Sequence, residues 1–583
     1  MNTPGRTSSA AQSLLVVQIS ALALLVGCSS SNGIHGATHD AGSDAHSPVD
    51  ASSVDASMGG ALLPHVPDNV SISPVTSCTM TGIGATKLVA DAAVTILEVS
   101  AASTGATTAT GASQVDKPYC LVKVQVAPKV NIWVAMPMMG WNGRIRAEGG
   151  GGYSGLLAAA TDSVQQDFVG IKTDTGHPSD PPAGLFDGSF GMLSPGVPNT
   201  QLQIDFAYRS EHLMAVVGKQ LVLAFYGQPQ LRTYWFGSST GGRQGLMMAQ
   251  HYPDDFDAIL AGAPAIHWDR FQAYQIWPQM VMNLDVGAPI VSAKLALATQ
   301  AAVASCDAAD GTTDGLIDDP RRCSYDPISD TTIAKASCTT QDTTCLTSAE
   351  AGAIKKIWGG SRTTGGLLLW PGVERGADLT GLAGAMPFPI ATGQPQFWVY
   401  LDPTWDWKTL TYANYEEFFN LTVEKVGPVI ASDDPNLAVF AARGGKLLLF
   451  HGWADQLIMP QGTTRYFEAM GQALGASVAQ FAKLYMVPGM AHCSGGPGPN
   501  RFGSNPVGPT DPIDPGHNIF RALMSWSERD VEPQAIIATK FPADDPTQPA
   551  MRTRPLCPYP MVARYNGSGS IDDAANFTCG SPP

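Results

Sequence analysis

"FGSSTGGRQG", Phe236 to Gly245, is the stretch on which the reading of this chain turns. It ends an apolar run, "LRTYWFGSS", and leads into "GGRQGLMMAQHYP", whose apolar spacing is helical and which stops before Pro253. A strand that turns sharply into a helix lifts one side chain out of a sheet, and crowding at the turn requires small neighbours. Gly237-Ser238-Ser239-Thr240-Gly241 supplies that pattern with Ser239 at the apex. A lone Gly-x-Ser-x-Gly recurs by chance in chains rich in glycine and serine. Its position between a strand and a helix is what gives it weight here.

The flanks repeat the theme. "YCLVKVQVAP", "NIWVAMPM", "DFVGIKTDTGH" and "FDAILAGAPA" read as strands, and "WNGRIRAEGGGGYSG" ends a strand in a glycine cluster. Strands alternating with helices predict an α/β fold with a mostly parallel sheet. The regularity fails from His267 to Gly444, then returns at "GGKLLLFHGWADQLI" and "AQFAKLYMVPGMAHC". A sheet interrupted by a long insertion accounts for this.

A serine hydroxyl is a weak nucleophile until a base takes its proton, and the base is most often a histidine oriented by a carboxylate. Asp455 follows the strand "KLLLF" and His492 follows "KLYMV". The order Ser, Asp, His suits this class of sheet. Either residue alone reads more readily as a turn-capping aspartate or a loop histidine; together, in this order and with these flanks, they read as an acid and a base. The backbone N–H of Thr240 is one donor for a developing oxyanion. The glycine run Gly149 to Gly152 is the second source, at Gly151 or Gly152, unless it is a plain flexible turn.

With 583 residues, 44% of them hydrophobic and 14% charged, the chain can bury a large core. A formal net charge of -16 argues against nucleic acid and anionic lipid as partners. The N-terminus reads as an export signal, Arg6 followed by the apolar run Ser13–Cys28, with Leu25-Val26-Gly27-Cys28 like a lipoprotein box that would be lipidated at Cys28. An ordinary secretory signal is the alternative. Residues 29–61 are built from Ser, Ala, Gly, Asp and His and read as a disordered tether, with His35, His39 and His46 solvated rather than bound to metal. The organisation expected is therefore a signal over 1–28, a linker over 29–61, a catalytic domain in two parts (62–266 and 445–583), and an insertion over 267–444. The location expected is secreted or anchored in a bacterial cell envelope. The oligomeric state is left open.

Exported cysteines imply disulfides. With Cys28 set aside, proximity pairs Cys78–Cys120, Cys306–Cys323, Cys338–Cys345 and Cys557–Cys579, leaving Cys493 unpaired. Between Cys306 and Cys323, "CDAADGTTDGLIDDPRRC" crowds Asp307, Asp310 and Asp314 into a loop. Hard oxygens on a glycine turn suit calcium, although the spacing is not that of an EF-hand and an acidic hairpin is the plainer reading.

The body, Cys78 to Cys579, resembles the tannase and feruloyl esterase family of secreted α/β-hydrolases. The motifs "GGGGYSG", "TDTGH", "YRSEH", "STGGRQGL", "AGAPAIHW", "DGLIDDPRRC", "DPTWDW", "HGWAD" and "VPGMAHCSGGPGP" carry the resemblance. It implies an α/β-hydrolase fold whose insertion is a lid, and a serine esterase acting on a small aromatic ester. Hydroxycinnamate esters come first, then gallate esters, then terephthalate monoesters. Ser239 would be the nucleophile, Asp455 the orienting acid and His492 the base. A structural Ca2+ would be held by Asp307, Asp310 and Asp314 with the carbonyls of Thr312 and Leu316, and no organic cofactor is implied. A catalytically silent surface binding protein on the same fold is the competing class. The family usually joins a cysteine before the nucleophile to the cysteine after the histidine; here Ser238 stands opposite Cys493, so Ser238→Cys would be expected to close that bridge. In the lid, Phe397, Trp398, Trp405 and Trp407 read as core before substrate wall. Arg362, Arg375 and Lys408 are the cations available for a substrate carboxylate, none of them aligned to that role.

Overall fold

Alternation along Arg232–Ser238 sends Tyr234 and Phe236 to one face of a sheet and Trp235 to the other. The neighbouring strands follow the same rule. Leu260, Leu448, Phe450 and Tyr485 join Tyr234, while Ile259, Leu447, Leu449 and Leu484 join Trp235. A sheet apolar on both faces must be covered twice. In this computed structural model, which describes residues 63–105, 116–178, 183–504 and 511–582, helices cover both faces. The expectations placed on residues 1–61, including the signal, the linker histidines and Cys28, lie outside the described residues.

The strands are β1 (Val94–Ser103), β2 (Pro118–Val126), β3 (Val130–Pro137), β4 (Arg144–Glu148), β5 (Val169–Thr173), β6 (Arg232–Ser238), β7 (Ala258–Gly262), β8 (Lys446–Gly452) and β9 (Ala482–Val487). They form one nine-stranded sheet in the order β1-β2-β3-β5-β4-β6-β7-β8-β9. The pairs up to β3–β5 are antiparallel. From β5 to β9 every pair is parallel. Helices α1 (Ser210–Tyr226) and α2 (Thr240–His251) pack on the Trp235 face.

The chain between β7 and β8 departs from the sheet. It holds α3 (Trp268–Gln275), α4 (Trp277–Asp285) and α5 (Tyr415–Ile430), with a core of its own around Trp268, Tyr274, Trp277, Trp398 and Tyr415. That core is continuous with Tyr153 and Phe206 and with Leu457 and Ile458, so the insertion is seated on the carboxyl ends of the strands. Helix α6 (Ile519–Arg529) covers the second face through Ile519, Phe520, Leu523 and Trp526.

The four expected disulfides, Cys78–Cys120, Cys306–Cys323, Cys338–Cys345 and Cys557–Cys579, are all formed. The expectation for Cys493 is corrected. No described cysteine is free, and the Cys493 sulfur is engaged in a disulfide. The expected closure of a bridge by Ser238→Cys falls with it, since the Cys493 sulfur is already engaged.

Candidate active site

β6 ends at Ser238 and α2 begins at Thr240, leaving Ser239 between them at φ 60° and ψ -123°. A non-glycine residue in that region is strained, and the surrounding contacts hold it there. Its N–H donates to Gly262 O at 2.8 Å, and its carbonyl accepts from Ala265 N at 3.1 Å. The glycines of the motif have a steric reason. A Cβ on Gly237 would sit 2.6 Å from the backbone of Gly241, and one on Gly149 would sit 2.6 Å from Gly241 Cα. Three backbones thus meet where side chains would separate them.

Ser239 Oγ lies 3.0 Å from His492 Nε2, and His492 Nδ1 lies 2.7 Å from Asp455 Oδ2. All three residues are buried, at 4%, 2% and 1% exposure, so their mutual attraction is weakly screened. The loop after β8 fixes Asp455: its Oδ1 accepts from Leu457 N at 2.8 Å and Ile458 N at 2.9 Å. The loop after β9 fixes His492, whose N–H donates to Gln456 Oε1 at 3.0 Å. Three residues far apart in sequence therefore meet in one hydrogen-bonded line.

A fourth member was missed in the sequence. His451, on β8, places Nε2 2.9 Å from the same Asp455 Oδ2, and its Nδ1 lies 2.8 Å from Thr463 Oγ1. Burial raises the carboxyl pKa of Asp455, but His492 and His451 together outweigh it and hold the group well below the usual carboxylate range. The i,i+4 spacing of His451 and Asp455 in "HGWAD" was the available signal.

The glycine run closes the other side. Gly241 N donates to Gly150 O at 2.8 Å, Gly150 N to Gln244 Oε1 at 3.0 Å, and Thr240 Oγ1 to Gly152 O at 2.5 Å. Gly152, with φ 55°, lines the cavity in front of Ser239 together with Thr240; Gly151 does not. That cavity is lined by Trp268, Phe271, Phe388, Ile390, Leu457 and Ile458, with Gln272 and Gln275 on the same wall.

No lysine or arginine lines this cavity among the described residues. Arg362 donates to the carbonyls of Gly366 and Gly359, Arg375 donates to Tyr325 O and lies over Trp358, and Lys408 lies over Trp407. Trp398 is buried in the core of the insertion and donates to Gly188 O at 3.1 Å, while Phe397, Trp405 and Trp407 pack against that core. Their reading as core holds.

In the acidic loop the carboxylates turn onto the loop's own amides. Asp307 accepts from Asp314 N and Gly315 N, each at 3.0 Å, and Asp310 accepts from Thr312 N at 3.0 Å and Asp318 N at 3.3 Å. Asp314 is ion-paired with Arg554 and lies 3.4 Å from Arg552. The donor set is all oxygen, which suits calcium, but the carboxylates do not converge on one point. Among the described residues the single group of three acidic or thiol side chains with ligand atoms within 4.8 Å is Cys338, Asp342 and Cys345, and its two sulfurs are joined in a disulfide.

The family model described as "Tannase and feruloyl esterase" matches residues 113–580. A probable feruloyl esterase of Arthroderma benhamiae is 34% identical over 469 residues, covering 77% of this chain and 82% of that protein. The mono(2-hydroxyethyl) terephthalate hydrolase of Piscinibacter sakaiensis is 31% identical over 572 residues, covering 84% and 89%. The crystal structure of an esterase from Aspergillus oryzae superposes with a TM-score of 0.74 at 26% identity, covering 84% of this chain and 97% of that one. The chain belongs to the tannase and feruloyl esterase family.

Proposed function

We propose that this protein hydrolyses esters of aromatic carboxylic acids through an acyl-enzyme on Ser239. Family membership makes it a carboxylic ester hydrolase; the substrate class and the residue roles are our reading. The observation that carries it is the unbroken line Ser239–His492–Asp455, at 3.0 Å and 2.7 Å. Ser239 Oγ attacks the acyl carbonyl as His492 Nε2 takes its proton, and Asp455 stabilises the imidazolium that results. The tetrahedral oxyanion is stabilised by the N–H groups of Thr240 and Gly152. His492 then returns the proton to the leaving alcohol, and water repeats the sequence to release the acid. This arrangement favours an enzyme over a silent binding protein.

Hydroxycinnamate esters are the first choice of substrate and gallate esters the second. Terephthalate monoesters rank last, because no cation lines the cavity among the described residues to meet their carboxylate. The test is kcat/KM on a panel of feruloyl, galloyl and terephthaloyl monoesters with the purified protein. The first should lead; a terephthaloyl preference would overturn this order, and no turnover of any would overturn the function.

The same proposal extends to two structural matters. Calcium bound by Asp307, Asp310, Asp314 and the carbonyls of Thr312 and Leu316 would order the lid, its role being structural. Export as a lipoprotein would acylate Cys28. Palmitate incorporation that is lost in Cys28→Ala would establish the anchor, and no incorporation would remove it. Among the described residues no helix is long and apolar enough to cross a membrane.

A further inference from the structure

The lid helix α3 presents one face to the cavity. Trp268, Phe271, Gln272 and Gln275 all line it, at the i, i+3, i+4 and i+7 positions that share a helix face. The first two are aromatic and the last two are amides, so the wall changes from apolar to polar along the helix. Gln275 stands about 10 Å along the axis from Trp268.

Both amides are buried, at 3% and 2% exposure, and neither Gln272 Oε1 nor Gln275 Oε1 has a hydrogen-bond partner. Leaving a buried acceptor unpaired is costly, so a site carrying two such acceptors is suited to a donor from outside. The orientation of Gln275 is fixed. Its Nε2 donates to Leu457 O at 2.9 Å, so a flipped amide would set Oε1 against a carbonyl oxygen and lose that bond. Its Oε1 is therefore held as an acceptor.

We propose that Gln275, assisted by Gln272, is the specificity-determining residue of this esterase, accepting a hydrogen bond from a phenolic hydroxyl on the acyl ring of the substrate. The inference rests on the aromatic esterase reading above and deepens it. A phenol donates to Gln275 Oε1 and completes the site. An unsubstituted ring leaves the acceptor buried and unpaired, and the carboxylate of a terephthalate monoester brings only further acceptors and an uncompensated charge. Sites built to pair a substrate hydroxyl reject the analogue that lacks it far more strongly than an apolar wall rejects a change of size.

The test compares methyl 4-hydroxycinnamate, methyl cinnamate and monomethyl terephthalate on the full-length protein. The wild type should favour the first over each of the others by at least about tenfold in kcat/KM. In Gln275→Leu the preference over methyl cinnamate should fall to within about twofold. Gln272→Leu should reduce the preference in part, and with the wild-type ratio it decides the matter if Gln275→Leu does not fold. Equal wild-type rates on the two cinnamates, or an unchanged preference in folded variants at both positions, would overturn the inference and leave the esterase standing. Hydrolysis of none of the three would overturn both.

Discussion

At Asp455 two imidazoles share one carboxylate oxygen, His492 at 2.7 Å and His451 at 2.9 Å. The second imidazole takes up part of the charge that would otherwise act on His492 alone. His451→Phe removes that donor while keeping a ring of similar bulk. The expected result is a fall in kcat of roughly tenfold with KM little changed, as for other loss of support behind a reacting group. His451→Gln, which keeps an N–H donor, should recover part of the rate. An unchanged kcat in His451→Phe would show that His451 only fills space. Ser239→Ala should lower kcat/KM by about 10^4-fold or more without change in the melting temperature, as expected for loss of a nucleophile.

The elements that bring these residues together are held by close backbone approach. β6, α2 and the glycine run meet at Gly237, Gly241 and Gly149, where a single methyl group has no room. Gly237→Ala is expected to destabilise by about 1–3 kcal/mol and to reduce activity by moving the Ser239 turn, measurable by denaturant unfolding beside steady-state rates. Gly471→Ala, where a Cβ meets nothing within 4 Å, should be neutral or mildly stabilising and serves as control. The disulfide-closed acidic loop carries the calcium proposal. Chelation with EDTA should lower the melting temperature by several degrees and calcium should restore it, as for a ligand that binds only the folded state. An unchanged melting temperature would reduce the loop to an acidic hairpin.

Over the whole molecule, several buried carboxyls bear on the pH dependence above pH 4, and Glu211 and Glu374 are two of them. Burial pushes both Glu211 and Glu374 up to about 7, against weaker opposing contacts that include Arg243 and Gln461 respectively. Their folded forms hold protons that the unfolded chain has released, so they favour folding at low pH and lose that contribution as pH rises from about 4.5 to 7. Asp455 acts in the opposite sense, and its contribution is lost only as pH falls below the usual carboxylate range. Glu211→Gln should therefore lose less melting temperature than the wild type between about pH 5 and about pH 7.5. An identical loss would show that Glu211 is ionised throughout.

Much of this molecule was legible because its chemistry is written at strand ends. Ser239, Asp455 and His492 each follow an apolar run, in the order the sheet requires, and local pairing sufficed for four disulfides. What escaped notice depends on contacts distant in sequence or on atypical pattern. β1 is a half-exposed edge strand, α1 is apolar on too many sides to show a face, and His451 sits inside an otherwise ordinary apolar strand. Gln272 and Gln275 acquire meaning only when the insertion is seated over Ser239. Cys493 was misjudged because a cysteine count cannot say which thiol to set aside.

The most direct measurement is covalent. A fluorophosphonate that mimics the acyl transition state should add once per chain, with the adduct on the peptide carrying Ser239, and labelling should disappear in Ser239→Ala and slow at least about a hundredfold in His492→Ala. An adduct on any other residue, or labelling of Ser239 at the same rate without His492, would contradict the account.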